Sequence, residues 1–356
     1  MKNSEKNNNT LLVCGNEAIG EAAIKAGCRG YFGYPITPQN ELTAYMARRM
    51  PEEGRVFIQS ESELAAISMV FGASAVGARA MTSSSSPGIS LKQEGISYLA
   101  GCELPAVIVN MMRGGPGLGN IGPAQSDYFQ STRGGGHGDY RTPVLAGSSV
   151  QELADLTYEA FDLADRYRTP VLILGDGVLG QMMEPVTFPP PRSSQIPEKE
   201  WVLTGAAGRA PRTIKSLFLG QGELDRHNRK LQDRYRRIEA EEVRFEEIET
   251  DDAALILVAY GISARLCREI VRNLRREGEK IGLLRPITLW PFPTVRLREL
   301  AENADKFLAV EMSYGQMIED VRLAVNGEKP VGFFGRGGGE ILTLAEIEEA
   351  VRGHLE

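Results

Sequence analysis

Histidine and cysteine are scarce in this chain. Three histidines (His137, His227 and His354) and four cysteines (Cys14, Cys28, Cys102 and Cys267) are scattered over 356 residues, and no Cys-x-x-Cys pair occurs. Such a set supplies neither a zinc site built from protein ligands alone nor a cysteine-held iron–sulfur cluster. No residue is therefore expected as a metal ligand, and any redox centre the chain works with belongs to another polypeptide. The cysteines read as small buried residues of a reducing compartment. Positive charge is also in deficit: 40 Lys and Arg against 47 Asp and Glu leave a net charge of -7. That balance argues against a nucleic-acid protein, which needs an excess of cations against phosphate. No apolar run is long enough to span a bilayer. Residues 1–10 are polar and Asn-rich, with neither the apolar stretch of a secretory signal nor the Arg-rich pattern of a transit peptide. A flexible tail on a cytoplasmic protein is the expectation.

What is present is ordinary globular composition, 42% hydrophobic and 24% charged, in a length that suits two domains or three. Short apolar runs alternate with helical patterns over residues 11–186. Strands are expected at 11–13, 31–34, 56–59, 106–110 and 171–174, with helices at about 61–76 and 150–167 among others. Asn16 is placed to cap a first helix that Gly27 stops. This alternation predicts a parallel sheet covered on both faces. Pro189-Pro190-Pro191 ends the rhythm, and residues 187–250 read as a linker. Its later part is intensely charged, basic from Arg226 to Arg237 and acidic from Glu239 to Glu247, which fits a solvated connector helix or a partner-docking arm. A second α/β alternation over 251–356 predicts four strands, at 255–259, 281–284, 307–310 and 331–334, each followed by a helix.

Several motifs stand at the expected carboxyl edge of the first sheet, where open parallel sheets bind ligands. In Tyr34-Pro35-Ile36-Thr37-Pro38 two prolines hold the loop, so Thr37 either offers its hydroxyl from a rigid position or simply belongs to a turn. In Gln59-Ser60-Glu61-Ser62-Glu63, helical phase puts Glu63 within about 60° of Ala66, Ile67 and Val70, whereas Glu61 points about 160° away. Both acids suit the first turn of a helix dipole, but a carboxylate on the packed face needs a partner. The Ser83 to Ser86 hydroxyls, followed by Pro87-Gly88 and a helix containing Lys92, either cap that helix or receive a polar ligand. Arg113-Gly114-Gly115-Pro116-Gly117-Leu118-Gly119 is no dinucleotide fingerprint, because no helix opens behind the glycines. Its Arg113 is positioned to grip a carboxylate. His137 lies in a second glycine-rich stretch, 134–138, as a structural hydrogen-bonder or an acid–base group.

Taken together, Tyr34-Pro35-Ile36-Thr37-Pro38, Ser62-Glu63 before an Ala-rich helix, and Ser86-Pro87-Gly88 resemble the alpha subunit of 2-oxoacid:ferredoxin oxidoreductases. The stretches 83–95, 113–119 and 134–140 look most like the branched-chain (2-oxoisovalerate, 3-methyl-2-oxobutanoate) type. The resemblance implies an α/β chain. A thiamin-diphosphate-enzyme pyrimidine-binding domain would occupy 11–186 and a transketolase C-terminal-like domain 251–356, the latter including Arg285-Pro286 and Trp290-Pro291. Gly175-Asp176-Gly177 resembles the start of the diphosphate and metal motif of thiamin enzymes, but no asparagine follows before Asn228. The beta subunit is then implied to hold the diphosphate, Mg²⁺ and an iron–sulfur cluster. Gamma and ferredoxin-like delta subunits, ferredoxin and coenzyme A as co-substrate complete the system.

By the same resemblance Glu63 is the catalytic acid. It would hydrogen-bond N1′ of the aminopyrimidine and favour the imino tautomer that activates thiazolium C2, and a half-buried, partly protonated carboxyl suits that exchange. Tyr34, Pro35 and Ile36 would join it at the cofactor, with Thr37 and Arg113 at the substrate. Oxidative decarboxylation of a branched-chain 2-oxoacid to an acyl-CoA is the implied reaction. A 2-oxoglutarate-specific enzyme, a non-catalytic scaffold and a stand-alone binding protein are the alternatives.

Overall fold

The structure, a computed structural model, describes residues 10–192 and 199–355. Apart from Thr10, the tail expected over residues 1–10 lies outside the described residues, as does the stretch 193–198 of the expected linker. The chain runs through β1 (Thr10–Cys14), α1 (Gly15–Lys25), β2 (Gly30–Gly33), α2 (Asn40–Glu52), β3 (Val56–Gln59), α3 (Glu63–Ala75), β4 (Ala80–Ser84) and α4 (Ser86–Gly101). It continues with β5 (Ala106–Met112), α5 (Tyr128–Arg133), β6 (Val144–Leu145), α6 (Val150–Tyr167), β7 (Pro170–Asp176), α7 (Gly177–Gln181) and β8 (Met183–Thr187). Beyond these come α8 (Glu223–Glu241), β9 (Phe245–Ile248), β10 (Leu255–Ala259), α9 (Gly261–Arg276), β11 (Ile281–Pro286) and β12 (Thr288–Trp290). Last are α10 (Thr294–Ala301), β13 (Lys306–Glu311), α11 (Met317–Val325), β14 (Val331–Gly335) and α12 (Leu344–Leu355).

Seven strands form one sheet in the order β12-β6-β7-β5-β4-β2-β3, parallel except for β12. Five form a second, β14-β13-β10-β11-β9, parallel except for β9. Parallel pairing follows from the βα alternation, because a crossover helix carries the chain back to start the next strand at the same end. β5 and β7 are buried along their whole length, as strands covered by helices on both faces must be. Among the described residues no helix is long and apolar enough to cross a membrane.

The N-terminal strand differs from expectation. β1 stays out of the large sheet and pairs antiparallel with β8, from Thr10 opposite Thr187 to Cys14 opposite Met183. The cause is a close approach at Gly15. Its N–H donates to Met182 O, and a Cβ there would stand 2.1 Å from Leu179 O, so the chain enters α1 alongside β8. Nor does Asn16 cap α1. It is buried in the first turn, and its Nδ2 donates to Pro38 O at 2.8 Å and Glu41 Oε2 at 3.1 Å. Asn16 thereby ties α1 to the proline turn. Gly27, with φ of 86°, does end the helix.

The charged segment folds as α8, which buries Leu231, Tyr235 and Ile238 along one stripe. Its cations reach the body: Lys230 Nζ lies 2.6 Å from Glu103 Oε1, and Arg234 pairs with the other oxygen of that carboxylate. Burial alone would raise the Glu103 carboxyl, but the bonds from Lys230 and Arg234 outweigh it and hold it down to about 2. Four strands, β6, β8, β9 and β12, arise where periodicity predicts none. β9, inside the stretch read as linker, is an edge strand of the second sheet on β11. β12 reaches back to the first sheet, opposite β6.

Two side chains lock the sheets together. Gln125 Nε2 donates to Tyr260 O at 2.9 Å, while its Oε1 accepts from Ser263 Oγ and Met312 N, each at 2.8 Å. Asp176, at the end of β7, accepts from Leu179 N and Ile262 N, each at 3.0 Å, and so caps α7 and α9 at once. Gly261 (φ +59°) is required here, since a Cβ would lie 2.6 Å from Gln125 Nε2.

Burial raises the Asp176 carboxyl from 3.8 to about 6. The folded state therefore binds this proton more tightly than the unfolded chain. The stability it contributes is complete below about pH 4 and is lost as pH rises to about 6, at roughly 1.4 kcal/mol for each pH unit of that window. We expect the unfolding free energy of the wild type, relative to Asp176→Asn, to fall across that window. Urea denaturation at several pH values measures it, and a constant difference would contradict the assignment.

Candidate functional site

Strand β2 lies between β3 and β4, so the segments leaving these three strands meet at one edge. Ser60, just past β3, donates its N–H to Gly33 O at 2.9 Å and its hydroxyl to Ser62 O at 2.8 Å. Ser62 in turn caps α3, accepting from Ala65 N at 3.2 Å. These short links bring the Tyr34–Pro38 turn beside Glu63.

Glu63 opens α3 and is 7% exposed. Its side chain rests on Gly88, where a Cβ would stand 2.6 Å from Oε1 and 2.0 Å from Ser84 Oγ. Glycine is needed at this close approach. Among the described residues no group hydrogen-bonds or pairs with the Glu63 carboxylate, although buried carboxylates ordinarily need such partners. α3 carries no other charge along Glu63–Ala75, and Leu64, at 48% exposure, stands on its outer face. A helix this apolar on all sides is the kind that is buried on all sides.

The serine run divides. Ser83 Oγ joins Tyr31 OH (2.6 Å) to Gln39 Oε1 (2.5 Å), and Gln39 Nε2 donates to Tyr34 O at 3.3 Å. This buried chain holds the proline turn from beneath. Ser86 Oγ donates to Asp127 Oδ2 at 2.5 Å, and Asn110 Nδ2 donates to the same oxygen at 2.9 Å. Ser84 Oγ and Ser85 Oγ are buried without a partner, as are Thr82 Oγ1, Lys92 Nζ and Arg113 Nε. Buried polar atoms are nearly always paired, so these unpaired ones around the start of α4 are exceptions.

Tyr34 and Pro35 are exposed, Ile36 and Thr37 half-buried. Thr37 Oγ1 accepts from Asn40 Nδ2 at 3.2 Å, which leaves its own proton to donate. Arg113 departs from expectation. It is 7% exposed, and its terminal nitrogens donate to Thr37 O at 3.1 Å and Leu118 O at 2.9 Å. Those two bonds clasp the proline turn to the glycine loop, while Nε stays unpaired. His137 is exposed and its loop packs along α4 at Gln93 and Ser97, past the end that carries Gly88. Gln39 and Lys92 had no functional reading in the sequence, and Ser83, read there as a cap or a ligand group, instead supports the turn. Only the packing of α4 on α3 and β4 reveals them.

These residues fit one end of thiamin diphosphate. An unpaired buried carboxylate over a glycine floor suits a ring nitrogen, and orphaned hydroxyls lie beside it. The other end is not provided for by Asp176, whose oxygens are taken by two backbone N–H groups.

Residues 21–250 match the family of pyruvate flavodoxin/ferredoxin oxidoreductase, thiamine diphosphate-binding, and residues 253–347 match pyruvate:ferredoxin oxidoreductase core domain II. The chain is 54% identical to the ketoisovalerate oxidoreductase subunit VorB of Methanothermobacter thermautotrophicus, over 96% of this chain and 97% of that protein. It is 36% identical to the 2-oxoglutarate synthase subunit KorA of the same organism, over 94% and 96%. In fold it resembles a 2-oxoglutarate:ferredoxin oxidoreductase of Magnetococcus marinus, with a TM-score of 0.88 at 24% identity, covering 99% of this chain and 66% of that one. An inactive beta4 tetramer of a split-gene transketolase shares the fold more distantly, with a TM-score of 0.60 at 15% identity, over 96% and 98%. The chain belongs to the 2-oxoacid:ferredoxin oxidoreductase family.

Proposed function

We propose that this chain is the pyrimidine-binding half of a thiamin-diphosphate-dependent oxidoreductase that converts branched-chain 2-oxoacids to acyl-CoA and passes the electrons to ferredoxin. The observation that carries this reading is the Glu63 carboxylate, buried and unpaired at the head of an otherwise uncharged helix. When bound, thiamin diphosphate supplies the nucleophilic carbon and the electron sink for decarboxylation. Glu63 holds or releases a proton at the ring nitrogen. Thr37 donates its free hydroxyl proton to the substrate's oxo or carboxylate oxygen, and Tyr34, Pro35 and Ile36 wall the cofactor. Arg113 acts as the clasp that keeps Thr37 in place. Identity of 54% with a ketoisovalerate subunit, against 36% with a 2-oxoglutarate subunit of the same organism, supports the branched-chain substrate.

A second chain completes the site in this reading. The outer face of α3, with Leu64 and nearby Leu91 and Tyr98 of α4 exposed, supports burial against a beta subunit that brings the diphosphate grip, Mg²⁺ and an iron–sulfur cluster. Gamma and ferredoxin-like delta subunits extend the electron path. Four unpaired buried cysteines support a cytoplasmic setting. The pyrimidine-binding-type domain comprises 11–186 and the linker 187–250. The transketolase C-terminal-like domain comprises 251–356, with β9 of the linker completing its sheet.

In the reconstituted complex, Glu63→Ala should assemble normally and lose turnover by about a thousandfold or more. Unchanged turnover would instead make the chain a scaffold. Steady-state rates should favour 2-oxoisovalerate over 2-oxoglutarate, and the opposite preference would overturn the substrate assignment. Gly88→Ala pushes a methyl into Ser84 Oγ and Glu63 Oε1, so it should cost about 1–3 kcal/mol in urea unfolding, and turnover should fall with it.

A further inference from the structure

Lys92 is the one lysine on α4, and neither the fold nor the reading above uses it. α4 turns Gly88 and Gly95 toward α3: a Cβ at Gly88 would meet Glu63 Oε1 at 2.6 Å, and one at Gly95 would meet Ile67 Cγ2 at 2.5 Å. Helical phase puts Lys92 about 40° from Gly88 and about 60° from Gly95, on the same face. Side chains on a helix lean toward its N-terminus, which from Lys92 is the direction of Gly88 and Glu63. The residue has 0% exposure and its Nζ has no hydrogen-bond partner among the described residues. It makes no ion pair within 4.0 Å, yet Glu63 is the charge acting on it. Burial lowers its amine to about 8, against the pull of Glu63.

Other charged groups on elements around α4 are committed elsewhere. Asp127 is held by Ser86 and Asn110, Arg113 by the carbonyls of Thr37 and Leu118, and Asp176 by two backbone N–H groups. Toward the C-terminal end of α4, Tyr140 OH meets Gln93 Oε1 and a ring nitrogen of His227 meets Gly101 O. α3 itself offers only Glu63.

We propose that Lys92 is a positioning residue for the reaction, acting through Glu63: its ammonium, enclosed in the α3–α4 seam, is the counter-charge that decides how readily the Glu63 carboxyl releases its proton to the cofactor ring. This rests on the reading of Glu63 as the acid that faces the cofactor. A side chain serving only to fill this seam has no need of a charge, because an unpaired buried ammonium costs stability that a thioether of similar length does not. On the face of α4 that meets Glu63 at Gly88, the positive charge favours the carboxylate and so makes the acid a better proton donor toward the ring nitrogen.

The test uses the complex assembled with its partner chains and two neutral variants, Lys92→Met and Lys92→Gln. In the cofactor-free complex, infrared titration follows the carbonyl band of the protonated Glu63 carboxyl, identified by its loss in Glu63→Gln. In both Lys92 variants this band should persist to a pH higher by about one unit or more. The acidic limb of the pH–rate profile in the loaded enzyme should move the same way, with KM little changed and the melting temperature equal or higher. A band and a limb that stay where the wild type has them overturn the role of Lys92. If Glu63→Gln abolishes turnover in that case, only the Lys92 inference is lost. If Glu63→Gln retains full turnover, the reading of Glu63 falls and takes this inference with it.

Discussion

The site depends on a small set of hydrogen bonds at the end of two strands. Ser60 closes onto Gly33 O and Ser62 O, which fastens the exit of β3 to the exit of β2. The proposed site is built around that junction. The proline turn departs from β2 and Glu63 heads the helix after β3, while Gly88 approaches from the helix after β4. A parallel sheet makes this possible, because all its strands deliver their following segments to the same edge.

Around that junction the protein spends polar groups in two ways. Beneath the turn they are fully paired: Tyr31, Ser83 and Gln39 form a closed buried chain that holds the Tyr34 carbonyl. Such a network is stiff, since each member left unpaired in a low dielectric would cost the whole desolvation penalty of that group. Beside Glu63 the opposite holds, with Ser84, Ser85 and Lys92 buried and unpaired. A rigid, satisfied base under an unsatisfied rim is the arrangement of a preorganised half-site, and the apolar face of α3 suits completion by another chain. Two clefts of this chain lie away from that rim, one around Arg285 and Glu152, another around Trp290 and Phe245.

The second sheet serves the first mainly as a support. Gln125 and Asp176 reach across the junction to backbone groups around Tyr260, Ile262 and Met312, and β12 adds an antiparallel edge to the larger sheet. Asp176 shows how a residue type common in metal motifs is diverted. Its oxygens cap two helices in a buried junction, which gives the residue a structural task.

Much of this was legible in the residues themselves. The βα rhythm, the two parallel sheets and the position of Glu63 on a packed helix face all follow from periodicity, because side-chain direction repeats every two residues in a strand and every 3.6 in a helix. The resemblance of the Tyr34–Pro38 and Ser62-Glu63 motifs carried the family. What periodicity does not encode is which distant groups meet. Asn16 reads as a cap but bonds Pro38, Arg113 reads as a carboxylate grip but clasps two carbonyls, β9 is masked by the charge of its stretch, and β12 is only three residues long. Only the tertiary packing of α4 against α3 shows that the Gly88 face of α4, which also carries the buried Lys92, meets Glu63, since that contact runs through a glycine with no side chain of its own to signal it.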